Sequence, residues 1–274
     1  METTTLNYDK WLEQVIPLAK CAGDEIMRIY EGDEDLELTH KFDDSPLTIA
    51  DLRANDIIVS GLKAITPEVP VLSEEMETVD YKQRSLWDRY WLIDPLDGTN
   101  EFLEHSGQFT VNIALIDNHR SVLGVSYAPA LKKCYYARLG SGAYCLHDSG
   151  DVVNIKTRKA RAPVDILVSK RLKLDNLEPF LQSLQDYNLT KFGGSLKLCY
   201  LAEGGADVYP RLGKNCEWDT AAGQIIVEEA GGLLVDLDFK ALRYNTKESL
   251  YNPYFMVIGD KEFPWQSYLE KLRG

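Results

Sequence analysis

The sequence predicts an α/β protein in two parts, an α+β first part followed by an α/β part. Three observations predict it. Apolar residues recur at three- and four-residue spacing in two early segments, as amphipathic helices require. Short β-type runs then follow one another from Phe109 to Ile155, separated by turn signals. After Pro163, strand-like and helix-like segments alternate. The basic, irregular stretch Lys156–Pro163 is the expected boundary, giving units 1–158 and 159–274. A chain of 274 residues suffices for one large domain or two modest ones sharing a surface.

Residues 6–31 carry Leu12, Val15, Ile16, Ala19, Ile26, Met27 and Tyr30 on one helical face. Pro17 predicts a kink or break, and Gly32 the end. Leu36, Leu38, His40 and Phe42 alternate as in a strand with one buried face. Ser45-Pro46 marks a turn, and Thr48 can cap a helix whose apolar face is Ile57, Ile58, Leu62 and Ile65. Asp51 falls in its first turn, where negative charge complements the helix dipole; spacing alone favours that role over a ligand role. Val69–Leu72 is a short strand with Ser73-Glu74-Glu75 directly after it. Residues 76–89 are polar and predict a surface loop.

Tyr90-Trp91-Leu92-Ile93 reads as a buried strand that stops at Asp94, because Pro95 cannot donate to a ladder. Asp97-Gly98-Thr99 follows at once. Such dipeptides usually only reverse the chain. Here two carboxylates sit on one turn at a strand end. If Thr99 opens a helix, the N–H groups of Gly98 and Thr99 also face an incoming anion. Carboxylates for a hard cation beside N–H groups for a phosphate point to metal-assisted phosphoryl chemistry.

The expected strands Phe109–Ile116, Val122–Tyr127, Cys134–Leu139, Ala143–Leu146 and Val152–Ile155 form an antiparallel meander. The second part reads Ile166–Ser169 strand, Leu177–Tyr187 helix, Leu196–Ala202 helix, Ala206–Tyr209 strand, Thr220–Ala230 helix, Leu233–Leu237 and Phe255–Ile258 strands, and Glu262–Leu272 helix. Asp219 occupies the expected N-cap of the helix from Thr220, and Ala221-Ala222-Gly223 predicts close helix packing. Gly193, Gly194 and Ser195 could offer N–H groups to an anion, with Lys197 and Arg211 as countercharge. Taken singly, both cations are more often surface charges.

Acidic residues outnumber basic ones 43 to 30, for a formal net charge of −13. That disfavours nucleic acid and anionic membranes as partners, though not a small anionic substrate screened by metal ions. No apolar run approaches the ~20 residues of a membrane span, and Met1–Lys10 carries no apolar signal core. Five cysteines without a C-x-x-C pair read as reduced residues of a cytoplasmic protein. The histidines show no zinc-ligand spacing.

Three motifs in order carry a resemblance: Glu74-Glu75, then Asp94-Pro95-Leu96-Asp97-Gly98-Thr99, then Trp218-Asp219-Thr220-Ala221-Ala222-Gly223. The chain resembles the lithium-sensitive, magnesium-dependent phosphatases of the inositol monophosphatase superfamily over almost its whole length. Within them it is most similar to the bacterial 3′(2′),5′-bisphosphate nucleotidases of sulfate assimilation. Pro70–Glu75, Phe109–Asp117, Ser195-Leu196-Lys197 and Tyr209-Pro210-Arg211 support this. Two positions depart from that subgroup, Asn100 where Lys is common and Gly194 where Ser is common.

The resemblance implies a layered α/β/α/β/α sandwich and hydrolysis of adenosine 3′,5′-bisphosphate to AMP and phosphate. It implies two or three Mg²⁺ ions on Glu74, Asp94, Asp97, Asp219 and the Leu96 carbonyl. It further implies that Glu74 and Thr99 orient the attacking water, that Asp51 supports this water or a third ion, and that Asp97, Gly98, Thr99, Ser195, Lys197, Arg211 and Asp219 contact the substrate. Such a protein is expected in the cytoplasm, with a peripheral position at the inner membrane face and the oligomeric state left open. An inositol or sugar phosphate phosphatase, and a non-catalytic nucleotide sensor on the same fold, are the alternatives.

Overall fold

The computed structural model describes residues 7–32, 38–40, 46–172 and 174–270. Its elements, in chain order, are α1 (Tyr8–Tyr30), β1 (Leu38–His40), β2 (Pro46–Thr48), α2 (Ile49–Ile65), β3 (Val71–Ser73), α3 (Tyr81–Arg84), β4 (Arg89–Asp97) and α4 (Thr99–Leu103). The antiparallel meander follows as β5 (Thr110–Asp117), β6 (Arg120–Ala128), β7 (Lys133–Arg138), β8 (Ala143–His147) and β9 (Val152–Ile155). Then come β10 (Val164–Ser169), α5 (Glu178–Leu184), β11 (Tyr187–Phe192), α6 (Leu196–Ala202), β12 (Val208–Arg211), α7 (Trp218–Ala230), β13 (Leu233–Asp236), β14 (Phe255–Ile258) and α8 (Trp265–Leu269).

Two large sheets organise the molecule. One has seven strands in the order β3-β4-β5-β6-β7-β8-β9; the other has five, in the order β11-β10-β12-β14-β13. Alternation along the strands decides which helices cover which face. Trp91, Ile93, Val111, Ile113 and Leu115 face outward and share a core with Ala19, Ile26, Ile58 and Leu62 of α1 and α2. Their neighbours Leu92, Ala114 and Ile116 face inward against Ala221 and Ala222 of α7. Helices α6 and α7 fill the space between the sheets. Phe180 and Leu181 of α5 and Trp265 and Leu269 of α8 cover the far face of the second sheet. The order is therefore helix, sheet, helix, sheet, helix, as the resemblance implies.

The small residues of α7 are there for close approach. A methyl group on Gly124 of β6 would lie 2.6 Å from the carbonyl oxygen of Ala222. One on Gly223 would lie 2.4 Å from Leu198 Cδ2 of α6. Contacts this short do not exist between real atoms, so both glycines set the layer spacing.

Several expectations change. Helix α1 runs unbroken through Pro17, from an Asn7 cap whose side chain accepts from Lys10 N–H. Strand β4 does not stop at Asp94 but continues through Pro95 to Asp97 with a register shift. Pro95 costs no ladder bond where the pairing is already irregular. Residues 76–89 are not loop alone: α3 buries Arg84, whose Nη1 donates to Asn245 Oδ1 and the Lys247 carbonyl. Helix α5 is shorter than expected, and the polar β11 replaces the end of the segment read as helix. Strand β12 begins at Val208 and runs to Arg211, later than expected. Helix α7 is capped by Glu217, which places Asp219 inside the first turn. Helix α8 is the short Trp265–Leu269. Leu36, Phe42, Ser45 and the end of the last expected helix lie outside the described residues.

Candidate active site

The strand-end motifs converge on one cavity of about 520 Å³. It is lined by Glu74, Asp94, Leu96, Asp97, Gly98, Thr99, Ser195, Lys197, Arg211 and Asp219, so these predicted residues are brought together. Asp51 stands behind the cavity, buried.

The geometry starts with the irregular end of β4. Asp94 is paired with Asn112 and Asp97 with Thr110, so three steps on β4 match two on β5. In an undisturbed strand, residues three apart point to opposite faces. The extra residue brings both carboxylates to the inward face. Asp94 Oδ1 accepts from Leu96 N–H at 3.1 Å, which tightens the turn. Gly98 then adopts φ +94° and starts α4. A methyl group there would approach the Gln108 carbonyl oxygen to 3.0 Å, so this position needs glycine on both counts.

Glu74 enters from the end of β3, pinned by its N–H on the Ile93 carbonyl at 3.2 Å. Asp219 enters from α7, and its Oδ2 accepts from Cys216 N–H at 2.9 Å and Asn215 Nδ2 at 2.7 Å. Glu74, Asp94 and Asp219 each place a carboxylate oxygen within 4.8 Å of the other two. Desolvation first, then Glu74, Asp97 and Asp219, hold the Asp94 carboxyl well above the usual range. Desolvation, then Asp97 and Glu74, do the same to Asp219. Asp94 Oδ2 is buried and has no hydrogen-bond partner among the described residues. Buried polar atoms are nearly always paired, so this oxygen is shaped for a partner that is not protein. Hard oxygen donors, mutual repulsion and an orphaned lone pair together fit a divalent cation such as Mg²⁺.

Asp51 does complement the start of α2, through a capping box. Its Oδ2 accepts from Thr48 N–H at 2.8 Å and Thr48 Oγ1 at 2.6 Å. Its Oδ1 also accepts from Thr99 Oγ1 at 3.3 Å, and the Leu96 carbonyl lies 3.3 Å from the same hydroxyl. One residue thus bonds both to the helix start and to a threonine of the cavity wall.

The turn at 193–197 is arranged differently from the anion cradle expected. Gly193 N–H donates to Gln108 Oε1 at 2.9 Å, and Ser195 N–H donates to Asp97 Oδ2. Lys197 is buried, and its ammonium donates to the carbonyls of Phe192 and Gly194. Gly194 has φ +52°, and a methyl group there would meet the Gln108 carbonyl at 3.0 Å and Asp97 Oδ2 at 3.1 Å. A side chain there would be crowded and would need a left-handed backbone, so the position suits glycine. Arg211 is held by Ser169 Oγ and the Lys214 carbonyl. Lys170, Arg171 and Lys214 also line the cavity, with Arg171 and Lys214 exposed. Sequence reasoning missed these, along with Asn215, Gln108 and the buried Glu101. The signal for Asn215 was its spacing of four before Asp219. Nothing local marks the others.

The inositol monophosphatase family model matches residues 7–263. The chain belongs to the inositol monophosphatase family. It is 47% identical over 246 residues to the 3′(2′),5′-bisphosphate nucleotidase CysQ of Salmonella typhimurium, covering 90% of this chain and 98% of that protein. Its identity to the Escherichia coli K12 protein of the same name is 44%, with the same coverage. The crystal structure of CysQ from Bacteroides thetaiotaomicron, described as a bacterial member of the family, superposes with a TM-score of 0.80 at 40% identity, covering 94% of this chain and 100% of that one. Among the described residues, no helix is long and apolar enough to cross a membrane.

Proposed function

We propose that this member of the inositol monophosphatase family is a Mg²⁺-dependent 3′(2′),5′-bisphosphate nucleotidase that converts adenosine 3′,5′-bisphosphate to AMP and phosphate in the cytoplasm. The observation that carries the phosphatase reading is the orphaned Asp94 oxygen in a cluster of carboxylates at the cavity wall. The CysQ relatives, matched over nearly their full length, support the nucleotide as substrate.

When bound, Mg²⁺ stabilises charge on the phosphoryl oxygens and favours attack by water. Glu74, Asp94, Asp97, Asp219 and the Leu96 carbonyl are the donors proposed to hold two or three such ions. Thr99 Oγ1 lies between Asp51 Oδ1 and the Leu96 carbonyl, and its proton can go to either. Its free lone pair then accepts a proton from the attacking water, with Asp51 taking up the hydroxyl proton and Glu74 aligning the water. The N–H groups of Gly98 and Thr99 would hold phosphate oxygens. No covalent enzyme intermediate is required.

A bisphosphate leaves one phosphate uncleaved, and an acidic protein must meet it with local cations. Lys197 is the weaker candidate because backbone carbonyls already occupy its ammonium. Arg211 is also held, by Ser169 Oγ and the Lys214 carbonyl, so Lys170, Arg171 and Lys214 at the cavity wall are the better ones.

The test is kcat/KM with Mg²⁺ for adenosine 3′,5′-bisphosphate, AMP and inositol 1-phosphate. The bisphosphate is expected to be fastest. Faster hydrolysis of inositol 1-phosphate would overturn the nucleotidase reading in favour of an inositol phosphatase. Tight nucleotide binding without phosphate release would leave a sensor.

A further inference from the structure

A row of buried polar side chains crosses the inward face of the first sheet, where Leu92, Ala114 and Ile116 set an apolar pattern. On β5, Thr110 and Asn112 share that face. Asn112 stands opposite Asp94 on one side and Ser126 of β6 on the other, and Thr110 stands opposite Asp97. Ser126 Oγ donates to Asn112 Oδ1 at 2.8 Å. Asn112 Nδ2 donates to Ser195 Oγ at 2.8 Å, and Thr110 Oγ1 lies 2.8 Å from the same oxygen. Ser195 in turn donates its backbone N–H to Asp97 Oδ2. All four side chains are buried, with Ser195 only 7% exposed.

Buried polar groups are costly unless paired, and a fully paired network selects one geometry. This network begins on a strand of the first sheet, crosses to the start of α6 and ends on a carboxylate of the active site. A serine hydroxyl has one proton and two lone pairs to offer. Asn112 and Thr110 occupy two of these three positions, and they lie in the sheet.

We infer that Asn112 and Ser195 form a positioning bridge that fixes Asp97 for cation binding, so that the Ser195 side chain acts on the site through Asp97 rather than by touching substrate. The inference rests on the metal reading above. The bridge also explains Thr110 and Asn112, two polar residues in a strand otherwise apolar up to its last residue, Asp117. Asn112 reaches a metal ligand through Ser195, and Thr110 shares the load at the same oxygen. Outer-shell partners of this kind typically change metal affinity by about 10–100-fold when removed.

The experiment is calorimetric titration of Mg²⁺ into metal-free protein, without substrate, for wild type, Asn112→Ala and Ser195→Ala. Ser195→Ala removes a single oxygen and keeps the backbone N–H, so it tests the bridge even if Asn112→Ala does not fold. Both variants are expected to bind Mg²⁺ about tenfold more weakly. KM for the bisphosphate at saturating Mg²⁺ should rise by much less, about twofold at most. Unchanged Mg²⁺ affinity in Ser195→Ala, with KM raised at saturating metal, would make Ser195 a substrate contact and overturn the bridge alone. Wild-type protein that binds no Mg²⁺ would overturn the metal reading and the bridge with it.

Discussion

Two groups of carboxylates among the described residues are treated in opposite ways. Near the starts of β10 and β12, Asp207 is fully buried, but Arg158 Nε and Nη2 reach its two oxygens at 2.8 and 3.0 Å. The same guanidinium pairs with Asp165, and hydrogen bonds from Asn188 and Arg158 lower the Asp165 pKa. At the cavity, burial and neighbouring acids push the pKa values of Asp94 and Asp219 upward, and Asp94 keeps an oxygen with no partner among the described residues. The fold can therefore neutralise acids with its own cations. Where it sets no guanidinium against the buried carboxyl, as at Asp94, a cation from solution can take that place. Burial alone does not separate structural acid from functional acid; the presence of a matched guanidinium does.

The largest effect should come from Asp94→Asn. It keeps the side-chain shape but removes the charge that would hold the cation, and phosphate release should fall about a thousandfold or more, several kcal/mol of lost transition-state stabilisation. The same variant should melt at a higher temperature than wild type in metal-free buffer at neutral pH, since it deletes a buried carboxyl whose charged form desolvation and the neighbouring acids disfavour. Near-normal turnover at saturating Mg²⁺ would mean that Asp94 belongs with the structural acids.

Arg158→Ala attacks the other cluster. Leaving Asp207 buried and unpaired should cost about 3 kcal/mol in urea unfolding, at the low end of the range because Arg158 is partly in water. In the remaining folded protein, kcat/KM should stay close to wild type. A large catalytic loss without a stability loss would break the contrast.

A double change, Lys170→Ala with Arg171→Ala, should weaken use of the bisphosphate by about 1.5–3 kcal/mol, the scale of a lost charge-assisted contact. Hydrolysis of a monophosphate should change much less. Equal losses on both substrates would remove these cations from recognition of the second phosphate. Arg171 Nη2 is held by Glu104 at 2.9 Å, so the effect depends on the phosphate displacing that carboxylate.

The smallest effect is in pH dependence, and its sign differs between the clusters. A raised carboxyl pKa contributes stability below the unfolded value that is lost as pH rises through the folded value. Asp94 should therefore make the metal-free wild type lose stability from acid toward neutral pH, relative to Asp94→Asn. The lowered pKa of Asp165 works the other way: its contribution is present above the unfolded value and lost as pH falls. Parallel melting curves for wild type and Asp94→Asn across that range would show that Asp94 is not desolvated in solution.

The ordered motifs, the meander and the layer order were legible because each rests on local periodicity or a short fingerprint. What escaped depends on distant partners. Pro95 reads as a strand end, yet β4 passes it because the ladder is irregular at that step. The polar run Tyr187-Asn188-Leu189-Thr190-Lys191-Phe192 carries no buried-strand pattern, and it forms a strand by pairing alongside β10. Lys197 reads as a free cation, and only the fold shows its ammonium turned to carbonyls of the preceding turn. Asp219 reads as a cap because Asp-Thr-Ala-Ala is a good helix start; Glu217, buried and accepting from Asn245 N–H at 2.8 Å, takes that place.

The irregular step between Asp94 and Asp97 makes this site sensitive to chain length as well as to chemistry. Strand alternation works as a parity rule, and the extra residue is what puts both acids on the same side. Deleting either Pro95 or Leu96 would leave every acidic side chain in the sequence and restore an undisturbed ladder. It would keep the two acids on one face, now by even spacing, but it would remove the extra residue whose N–H Asp94 Oδ1 accepts and whose carbonyl faces Thr99 Oγ1. Variation in this segment can therefore proceed by replacement of residues, whereas a deletion dismantles the turn between the two acids even though it spares both of them.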